Sequence, residues 1–287
     1  MSAPFSASDV SLSDAPPSTE QFARTELMIG RDALERLRNS CVLVAGLGAV
    51  GSYAVEALAR SGVGRFRLVD FDVVQPSNIN RQLFATWNTV GRLKSDVAKE
   101  RIAAINPAAQ VETRQVLIND KTLPTLFADD WASPPDFVVD AIDSLGPKVA
   151  LIAEVTRRGL PLISSMGAAL RFDASLVQVG RLTDVSHCPL SAQVRKRLRR
   201  FDINTDAVRC VYSPEPIRDR MRAASVGSDG LERVAPAAPL DATNVDSPPG
   251  RPRNSLGSLS TIVGIFGLMI AHEVVGGLIG GFSALER

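Results

Sequence analysis

This sequence has few cysteines and almost no net charge, and each of these two facts excludes some classes of protein. Among 287 residues there are three cysteines, Cys41, Cys188 and Cys210, and no two of them form a C-x-x-C half-site for zinc or redox chemistry. A sparse, odd number of cysteines is typical of a reducing cytosol, so we expect a cytoplasmic protein. The formal net charge is +1, which excludes a bulk field that would attract nucleic acid or membrane. Any basic binding site must therefore be local.

Two stretches lack the composition of a packed core. Residues 1–20 are rich in Ser, Ala, Pro and Asp and have neither the basic start nor the apolar run of a signal peptide, so we expect a disordered tail. Residues 221–254 have a similar composition and are predicted to be a low-order loop, either a surface loop without direct function or a lid over a substrate. We expect residues 21–287 to form one domain, a size that a single hydrophobic core still supports.

The most informative motif in the sequence is a set of three glycines. Gly46, Gly48 and Gly51 have the spacing G-x-G-x-x-G, directly after the apolar run Val42–Ala45 and before an alanine-rich helix. In a nucleotide site the first glycine permits the turn, the second lets the backbone approach a phosphate, and the third allows close packing of helix and strand. Asp70 ends the next apolar run, where a carboxylate can bind ribose. The alternative is a glycine-rich turn without a ligand.

The order of apolar runs and helical patterns predicts the fold class. It is an α/β fold with a Rossmann-like, mostly parallel sheet and helices on both faces, extended by antiparallel strands in the C-terminal half. Residues Ala169–Leu182 alternate like two antiparallel strands around a turn at Asp173–Ser175. The predicted strands are Val42–Ala45, Phe66–Val69, Val111–Val116, Phe137–Ile142, Leu160–Ser164 and Val208–Tyr212.

A polar segment, residues 73–90, follows the acidic strand end and carries Asn80, Arg81 and Gln82. It should lie over the crevice at the carboxyl ends of the parallel strands. Lys94 falls in the first turn of a predicted helix, where a cation opposes the helix dipole. Either an anionic partner or a solvated surface lysine explains that placement.

The candidate site therefore combines two cations with several carboxylates. Arg81 and Lys94 can neutralise phosphate oxygens, and Asp143 can hold Mg²⁺, which prefers oxygen ligands. This is more positive charge and metal capacity than a nicotinamide cofactor needs, so ATP with Mg²⁺ is favoured over NAD. The carboxylates of this group are Asp70, Asp72, Asp140 and Asp143.

These motifs resemble the ubiquitin-activating-enzyme-like adenylyltransferase superfamily, whose members bind ATP on a Rossmann-type sheet and adenylate a carboxylate. The matching motifs are G-L-G-A-V-G-S, D-F-D-x-V-x-x-S-N-x-N-R-Q, G-x-x-K and D-A-I-D-S. Within the superfamily the chain is most similar to the tRNA threonylcarbamoyladenosine dehydratases. That similarity is carried by F-A-R-T-E-L-M-I-G, V-D-A-I-D-S-L-G-P-K, L-S-A-Q-V-R-K-R-L and C-V-Y-S-x-E-P.

The resemblance implies ATP-dependent cyclisation of threonylcarbamoyladenosine at tRNA position 37 to its hydantoin form, by a homodimer. It also makes a cysteine desulfurase or sulfur-acceptor system a candidate partner. By position, Asp70 would contact ribose, Asp143 the metal, and Arg24 the triphosphate of the neighbouring subunit. Asn80, Arg81 and Lys94 would contact phosphates, and Gly46, Gly48, Gly51, Asp72 and Gln82 complete the nucleotide-binding set. Gln21 stands where an arginine is expected beside the Arg24 motif.

The sequence is also compatible with two other functions. The first is activation of the C-terminus of a ubiquitin-like sulfur-carrier protein, although the paired C-x-x-C motifs of many such enzymes are missing. The second is a nucleotide-sensing or membrane-anchored scaffold without catalysis. Cys210 is either a nucleophile or, as we favour for an apolar strand, a buried structural thiol.

Two helical segments extend the prediction beyond the nucleotide site. Residues 256–281 are apolar and long enough to span a bilayer, but we favour a helix buried in a domain or dimer core over a membrane anchor. Residues Cys188–Phe201 form a basic helix, either a solvated face or a contact for a phosphate backbone. Helical geometry stacks Arg195 with Arg199 and Lys196 with Arg200. The full run of cations is Arg195, Lys196, Arg197, Arg199 and Arg200.

Overall fold

A computed structural model describes residues 19–127, 134–217 and 256–281 of the chain. The predicted loop at 221–254 lies outside the described residues, as does all of the predicted tail except residues 19 and 20. Those two residues begin a short 3-10 turn, Thr19–Phe22.

One seven-stranded sheet organises the described residues, with the strand order β3-β2-β1-β4-β5-β7-β6. Every neighbouring pair is parallel except β6 and β7, which are antiparallel. This confirms the predicted α/β fold with a mostly parallel sheet. The strands are β1 (Cys41–Ala45), β2 (Arg65–Val69), β3 (Gln110–Arg114), β4 (Phe137–Asp140), β5 (Leu162–Ser165), β6 (Gln178–Arg181) and β7 (Arg209–Tyr212).

Helices cover both faces of the sheet, as predicted. The alternating residues of β1 show this directly: Val42 and Val44 belong to one buried cluster, and Leu43 and Ala45 to another. A strand that is buried on both faces needs apolar residues at every position, which explains the continuous apolar run. The helices are α1 (Ala23–Ile29), α2 (Arg31–Asn39), α3 (Ala49–Ser61), α4 (Lys94–Ile105), α5 (Leu145–Arg157), α6 (Pro189–Leu198) and α7 (Ser260–Ile279).

The predicted pair of antiparallel strands within Ala169–Leu182 is wrong in its first half. Only β6 forms a strand there, and its partner is β7 rather than the preceding residues. The residues before β6 are held by other contacts, because the Arg171 guanidinium donates to the carbonyl oxygens of His187 and Glu215. A segment tied to those two loops cannot also form a hairpin strand.

The apolar helix α7 packs against α3 and buries Phe266, Ile270 and Val274 completely, as expected for a core helix, and its preference over a membrane anchor remains a prediction. The backbones of α3 and α7 approach closely, since a Cβ on Gly267 would lie 2.5 Å from the carbonyl oxygen of Val50 and 2.6 Å from Cβ of Tyr53. In the described part of the chain, α7 is the one helix long and apolar enough to cross a membrane. Its contact with α3 explains that composition without a membrane, because a helix buried between helix and sheet must be apolar on most sides.

Candidate functional site

The glycine turn joins β1 to α3 and leaves open space above its backbone. Gly46 has a φ of +91°, and a Cβ there would lie 2.8 Å from the carbonyl oxygen of Ala141. A Cβ on Gly51 would lie 1.8 Å from the carbonyl oxygen of Gly46, so only glycine permits the close packing of α3. A Cβ on Gly48 would meet nothing nearer than Nε2 of Gln82 at 3.8 Å. The turn thus exposes backbone at Gly48, at the N-terminal end of α3, where anions bind.

A cavity of about 760 Å³ opens over this turn at the carboxyl ends of the parallel strands. Its volume falls within the range of small-molecule binding sites. Eight of the predicted site residues line it: Gly46, Gly48, Asp70, Asp72, Arg81, Gln82, Lys94 and Asp143. Gly51 lies beneath the turn instead, and neither Asn80 nor Arg24 is part of the wall. The structure therefore brings most of the predicted set into one cavity.

Asp70 fixes the glycine turn to the end of β2. One carboxylate oxygen accepts from the amide N–H of Leu47 at 2.7 Å, and the other accepts from the amide N–H of Asp72 at 2.8 Å. Burial raises the pKa of this carboxyl, and the charge of Lys94 together with the two amide donors opposes that rise. Asp70 is thus a buried acceptor in the cavity wall, and its predicted contact with ribose remains a prediction.

Lys94 is a buried cation in the cavity wall. Its ammonium lies 2.8 Å from Oδ2 of Asp72, and the side chain of Lys94 is only 6% exposed, whereas that of Asp72 is 45% exposed. The alternative of a solvated surface lysine is therefore wrong. A buried lysine needs an anionic partner, and Asp72 supplies one on the side of the cavity that solvent reaches.

The polar segment 73–90 folds over the same cavity. The start of the segment is hydrogen-bonded to the residues that follow its end. The amide N–H of Val74 donates to the carbonyl of Arg92, and the amide N–H of Gly91 donates to the carbonyl of Val74. Within it, the Arg81 guanidinium donates to the carbonyl of Ser77 at 2.8 Å and to Oδ1 of Asn80 at 2.9 Å. These contacts hold Arg81 in the cavity wall.

Arg81 and Asp143 form the charged rim of the cavity. Burial lowers the pKa of Arg81, and the carboxylate of Asp143 opposes this shift. Asp143 itself is exposed and accepts from the hydroxyl of Ser144 at 3.1 Å. The rim therefore presents a guanidinium and a carboxylate to whatever enters the cavity.

Asn80 lies beside the cavity rather than in its wall, and its predicted contact with phosphates remains a prediction. Its Nδ2 donates to the carbonyl oxygen of Ser258 at 3.2 Å, and Ser258 lines the cavity. Asn80 thus connects Arg81 to the segment that precedes α7. No sequence pattern reveals this contact, because the two residues are 178 positions apart.

A fully buried ion pair, which was not predicted from the sequence, lies directly beneath the cavity. Nζ of Lys148 lies 2.6 Å from Oδ2 of Asp140, and both side chains are completely inaccessible to solvent. Lys148 also donates to the carbonyl oxygen of Ser165 at 2.9 Å, and Oδ1 of Asp140 accepts from the amide N–H of Ile142 at 3.1 Å. Ile142 and Ser165 both line the cavity, so the pair holds two of its walls.

A signal for this pair was present in the sequence. Lys148 falls at helical spacing with Leu151, Ile152 and Val155, which are among the buried residues of α5. A lysine on the apolar side of a helix is almost always paired, and Asp140 ends the strand just before that helix. The helical period therefore pointed to Lys148, although the identity of its partner did not follow from it.

Three other residues from the sequence predictions, Arg195, Cys210 and Arg24, lie outside the cavity wall. Arg195 is wrong as a phosphate contact, because its Nη1 donates to the carbonyl oxygens of Leu182 and Val185, both at 2.9 Å. Cys210 is fully buried, and burial raises the pKa of its thiol to about 12, which leaves no thiolate for nucleophilic attack. Arg24 is exposed on α1, away from the cavity of its own chain, and its reach to a neighbouring subunit remains a prediction.

Comparisons with known proteins agree with the resemblance drawn from the motifs. The ThiF family model matches residues 22–283. The tRNA threonylcarbamoyladenosine dehydratase of Bacillus subtilis (strain 168) is 43% identical over 212 residues, which cover 73% of this chain and 81% of that protein. A molybdopterin-synthase adenylyltransferase of Escherichia coli (strain K12) is 35% identical over 145 residues, which cover 50% of this chain and 55% of that protein.

Solved structures extend the similarity over almost the whole chain. The crystal structure of E. coli tRNA N6-threonylcarbamoyladenosine dehydratase in complex with AMP has a TM-score of 0.76 at 28% identity, covering 96% of this chain and 100% of that chain. The same protein in complex with ATP has a TM-score of 0.75 at 29% identity, covering 95% of this chain and 100% of that chain. The similarity thus includes the strands and turns that build the cavity.

Proposed function

This chain belongs to the ThiF family, and we propose that it uses ATP to dehydrate threonylcarbamoyladenosine at position 37 of tRNA. The observation that carries the proposal is the cavity, in which the glycine turn, the two cations Arg81 and Lys94, and the carboxylate of Asp143 converge. The Bacillus subtilis relative that is 43% identical acts on the same modified nucleoside by name, and the Escherichia coli protein of that name binds ATP and AMP. The fold is that of soluble α/β enzymes, and we propose that the protein acts in the cytoplasm as a homodimer.

The placement of the two cations in the cavity suits a triphosphate better than a dinucleotide, although the wall also holds three carboxylates, Asp70, Asp72 and Asp143. The glycine turn offers backbone N–H groups at the start of α3, and Arg81 and Lys94 add two cations beside it. ATP carries more negative charge than NAD, so a wall with both cations favours it. Calorimetric titration should show ATP binding and little NAD binding, and tight NAD binding without ATP binding would contradict this assignment.

The residues present also fit Mg²⁺ held jointly with a nucleotide. Among the described residues there is no group of three or more His, Cys, Asp or Glu side chains that could cage a metal. Mg²⁺ in ATP sites instead uses one or two carboxylates together with phosphates and water, and the exposed carboxylate of Asp143 can supply one. When bound, the ion would neutralise phosphate charge. Arg81, beside Asp143, would do the same from the protein.

The proposed reaction has two steps that balance without any further reactant. First, a carboxylate oxygen of the threonyl group attacks the α-phosphorus of ATP, and pyrophosphate leaves. Then a carbamoyl nitrogen attacks the carbonyl carbon of the acyl-adenylate, AMP leaves with the former carboxylate oxygen, and the nitrogen loses its proton. The net loss from the nucleoside is one water.

The protein's contribution is to position the reactants and neutralise charge. Arg81 and Lys94 would stabilise the charge that develops at the α-phosphate, and the rigid turn and ion pair would hold the nucleotide in register. No covalent enzyme intermediate is needed. This agrees with Cys210, whose thiol stays protonated because burial raises its pKa to about 12.

The second candidate function is activation of the C-terminus of a sulfur-carrier protein. The observation in its favour is the adenylyltransferase relative, whose alignment covers 50% of this chain. The first step is the same, so the discriminating feature is the carboxylate that is activated. Exchange of labelled pyrophosphate into ATP measures that step. We expect exchange to need tRNA carrying threonylcarbamoyladenosine, and not a carrier protein ending in Gly-Gly. Exchange with the carrier alone would overturn the proposal and would bring a cysteine desulfurase or sulfur acceptor into consideration as partner.

A further inference from the structure

The exposed cations at the end of α6 differ from most others in the described residues because they have no acidic partner there. Lys196 and Arg197 on α6, and Arg199 and Arg200 on the 3-10 turn Arg199–Phe201, are all exposed. Most arginines elsewhere pair with a carboxylate, among them Arg31, Arg38, Arg60, Arg92, Arg101, Arg158 and Arg209. Four exposed cations for which the described residues hold no acidic partner are therefore adjacent here, whereas other such cations, among them Arg24, Lys99 and Lys121, are scattered along the chain.

The helix dipole alone does not account for four cations. A cation in the last turn of a helix is favourable by about 0.3–1 kcal/mol, which can explain one or two of them. Further like charges at neighbouring positions repel one another and cost a similar amount each. Asp202, which follows the 3-10 turn, is the nearest carboxylate in sequence, and one negative charge leaves the cluster positive. Such a cluster is suited to a polyanion.

An exposed aromatic ring lies within the same cluster. Phe201 is 46% exposed, and the guanidinium of Arg157, at the end of α5, lies 5.5 Å from the centre of its ring. Proteins bind single-stranded RNA by combining cations for the backbone with aromatic faces on which bases stack. We use the term basic patch for Arg157, Lys196, Arg197, Arg199, Arg200 and Phe201, among which Arg157 also forms an ion pair with Glu154 at 3.9 Å.

The basic patch lies within reach of the cavity along α6. Leu190, at the start of α6, lines the cavity, and the cations follow six to ten residues later. At about 1.5 Å per helical residue they lie about 9–15 Å further along the helix axis. Stacked nucleotides rise about 3.4 Å each, so this distance corresponds to about three or four nucleotides.

We propose that the basic patch binds the phosphate backbone of the RNA a few nucleotides away from the base that reacts in the cavity, an inference that rests on the proposed function. Arg195 takes no part in it, because its guanidinium is bound to carbonyl oxygens of the protein. The patch holds the RNA through charge and stacking, and the cavity selects the modified nucleoside.

The test compares two variants with the same change in charge. K196Q/R197Q/R200Q removes three cations from the patch, and R31Q/R60Q/K99Q removes three exposed cations from α2, α3 and α4. The affinity for tRNA carrying threonylcarbamoyladenosine is measured across a salt series for both variants and the wild type. ATP affinity is measured in parallel to show that the nucleotide site is intact.

If each lost cation contacts one phosphate, the salt slope should fall by about 0.7–0.9 log units per cation, or about 2–3 in all. Relative to 1 M salt, where the electrostatic contribution vanishes, this corresponds at 0.15 M salt to tRNA affinity about 50-fold to 170-fold weaker, while the control variant keeps the wild-type slope. Equal slopes and affinities for the patch variant and the wild type would overturn the inference. If the wild type binds this tRNA but does not dehydrate it, the proposed function fails instead, and the salt series still tests the patch.

Discussion

Replacing Lys148 with methionine tests how the cavity is supported. The substitution keeps most of the side-chain length but removes the ammonium that contacts Asp140, Ser164 and the carbonyl oxygen of Ser165. Asp140 is completely buried and keeps only the hydroxyl of Ser164 and the amide N–H of Ile142 as donors. Lys148→Met therefore leaves a carboxylate without its counter-charge beneath the cavity.

The expected loss of stability is large. Breaking a buried ion pair by removing one partner costs about 3–5 kcal/mol, because the remaining charge stays buried and uncompensated. A domain of ordinary stability has about 5–15 kcal/mol of unfolding free energy in total, so the single variant loses a large share of it. The double variant D140N/K148M carries no stranded charge, and the carboxamide at position 140 can still accept from the amide N–H of Ile142. It should recover more than half of the loss.

Urea denaturation of the wild type, K148M and D140N/K148M measures these free energies directly, and calorimetry gives the ATP affinity of each folded protein. We expect both variants to bind ATP more weakly than the wild type, because the pair holds Ile142 and Ser165 in the cavity wall. An unfolding free energy of K148M within about 1 kcal/mol of the wild type would refute the reasoning, because an uncompensated buried charge destabilises the fold by more than that. A double variant as unstable as the single one would also refute it.

Three further predictions concern the cavity and the thiol. Lys94→Ala and Arg81→Ala should each lower kcat about a hundredfold or more with the fold intact, and near-normal turnover would remove that residue from the site. Gly51→Ala should unfold the protein or abolish ATP binding. Gly48→Ala, whose Cβ meets nothing nearer than 3.8 Å, should fold normally and only weaken ATP binding. Thermal melts and ATP titration distinguish the two outcomes. Cys210→Ala should keep its turnover, and iodoacetamide at pH 8 should not label the folded wild type at this position, because burial raises the pKa of the thiol to about 12; inactivation by that substitution would contradict this.

Much of the cavity could be predicted from the sequence because its chemistry is local. The glycine turn, the acidic strand end and the cations beside it lie within about fifty residues, and parallel strands bring their carboxyl ends to the same edge. Gly46, Asp70, Arg81 and Lys94 accordingly meet in one cavity. The alternation of buried residues in β1 and the burial of α7 follow from the same kind of pattern.

What could not be predicted depends on contacts between distant parts of the chain. Asn80 binds the carbonyl of Ser258, and Arg171 binds the carbonyls of two loops, so both side chains make contacts that no local pattern reveals. Arg195 is a member of a cationic run by sequence, yet it binds the carbonyls of residues 182 and 185 because α6 packs over that turn. The sequence pattern shows which residues are polar, whereas the tertiary fold decides which of them are already hydrogen-bonded within the protein.

ATP-dependent dehydration of threonylcarbamoyladenosine in tRNA is the activity that we propose for this chain. Its most direct test is to incubate the protein with ATP, Mg²⁺ and tRNA that carries this nucleoside, digest the tRNA, and measure the nucleoside mass. We predict a nucleoside lighter by one water, one AMP formed for each nucleoside converted, and no change of mass without ATP. An unchanged nucleoside mass under conditions in which the protein binds both ATP and the tRNA would contradict the account.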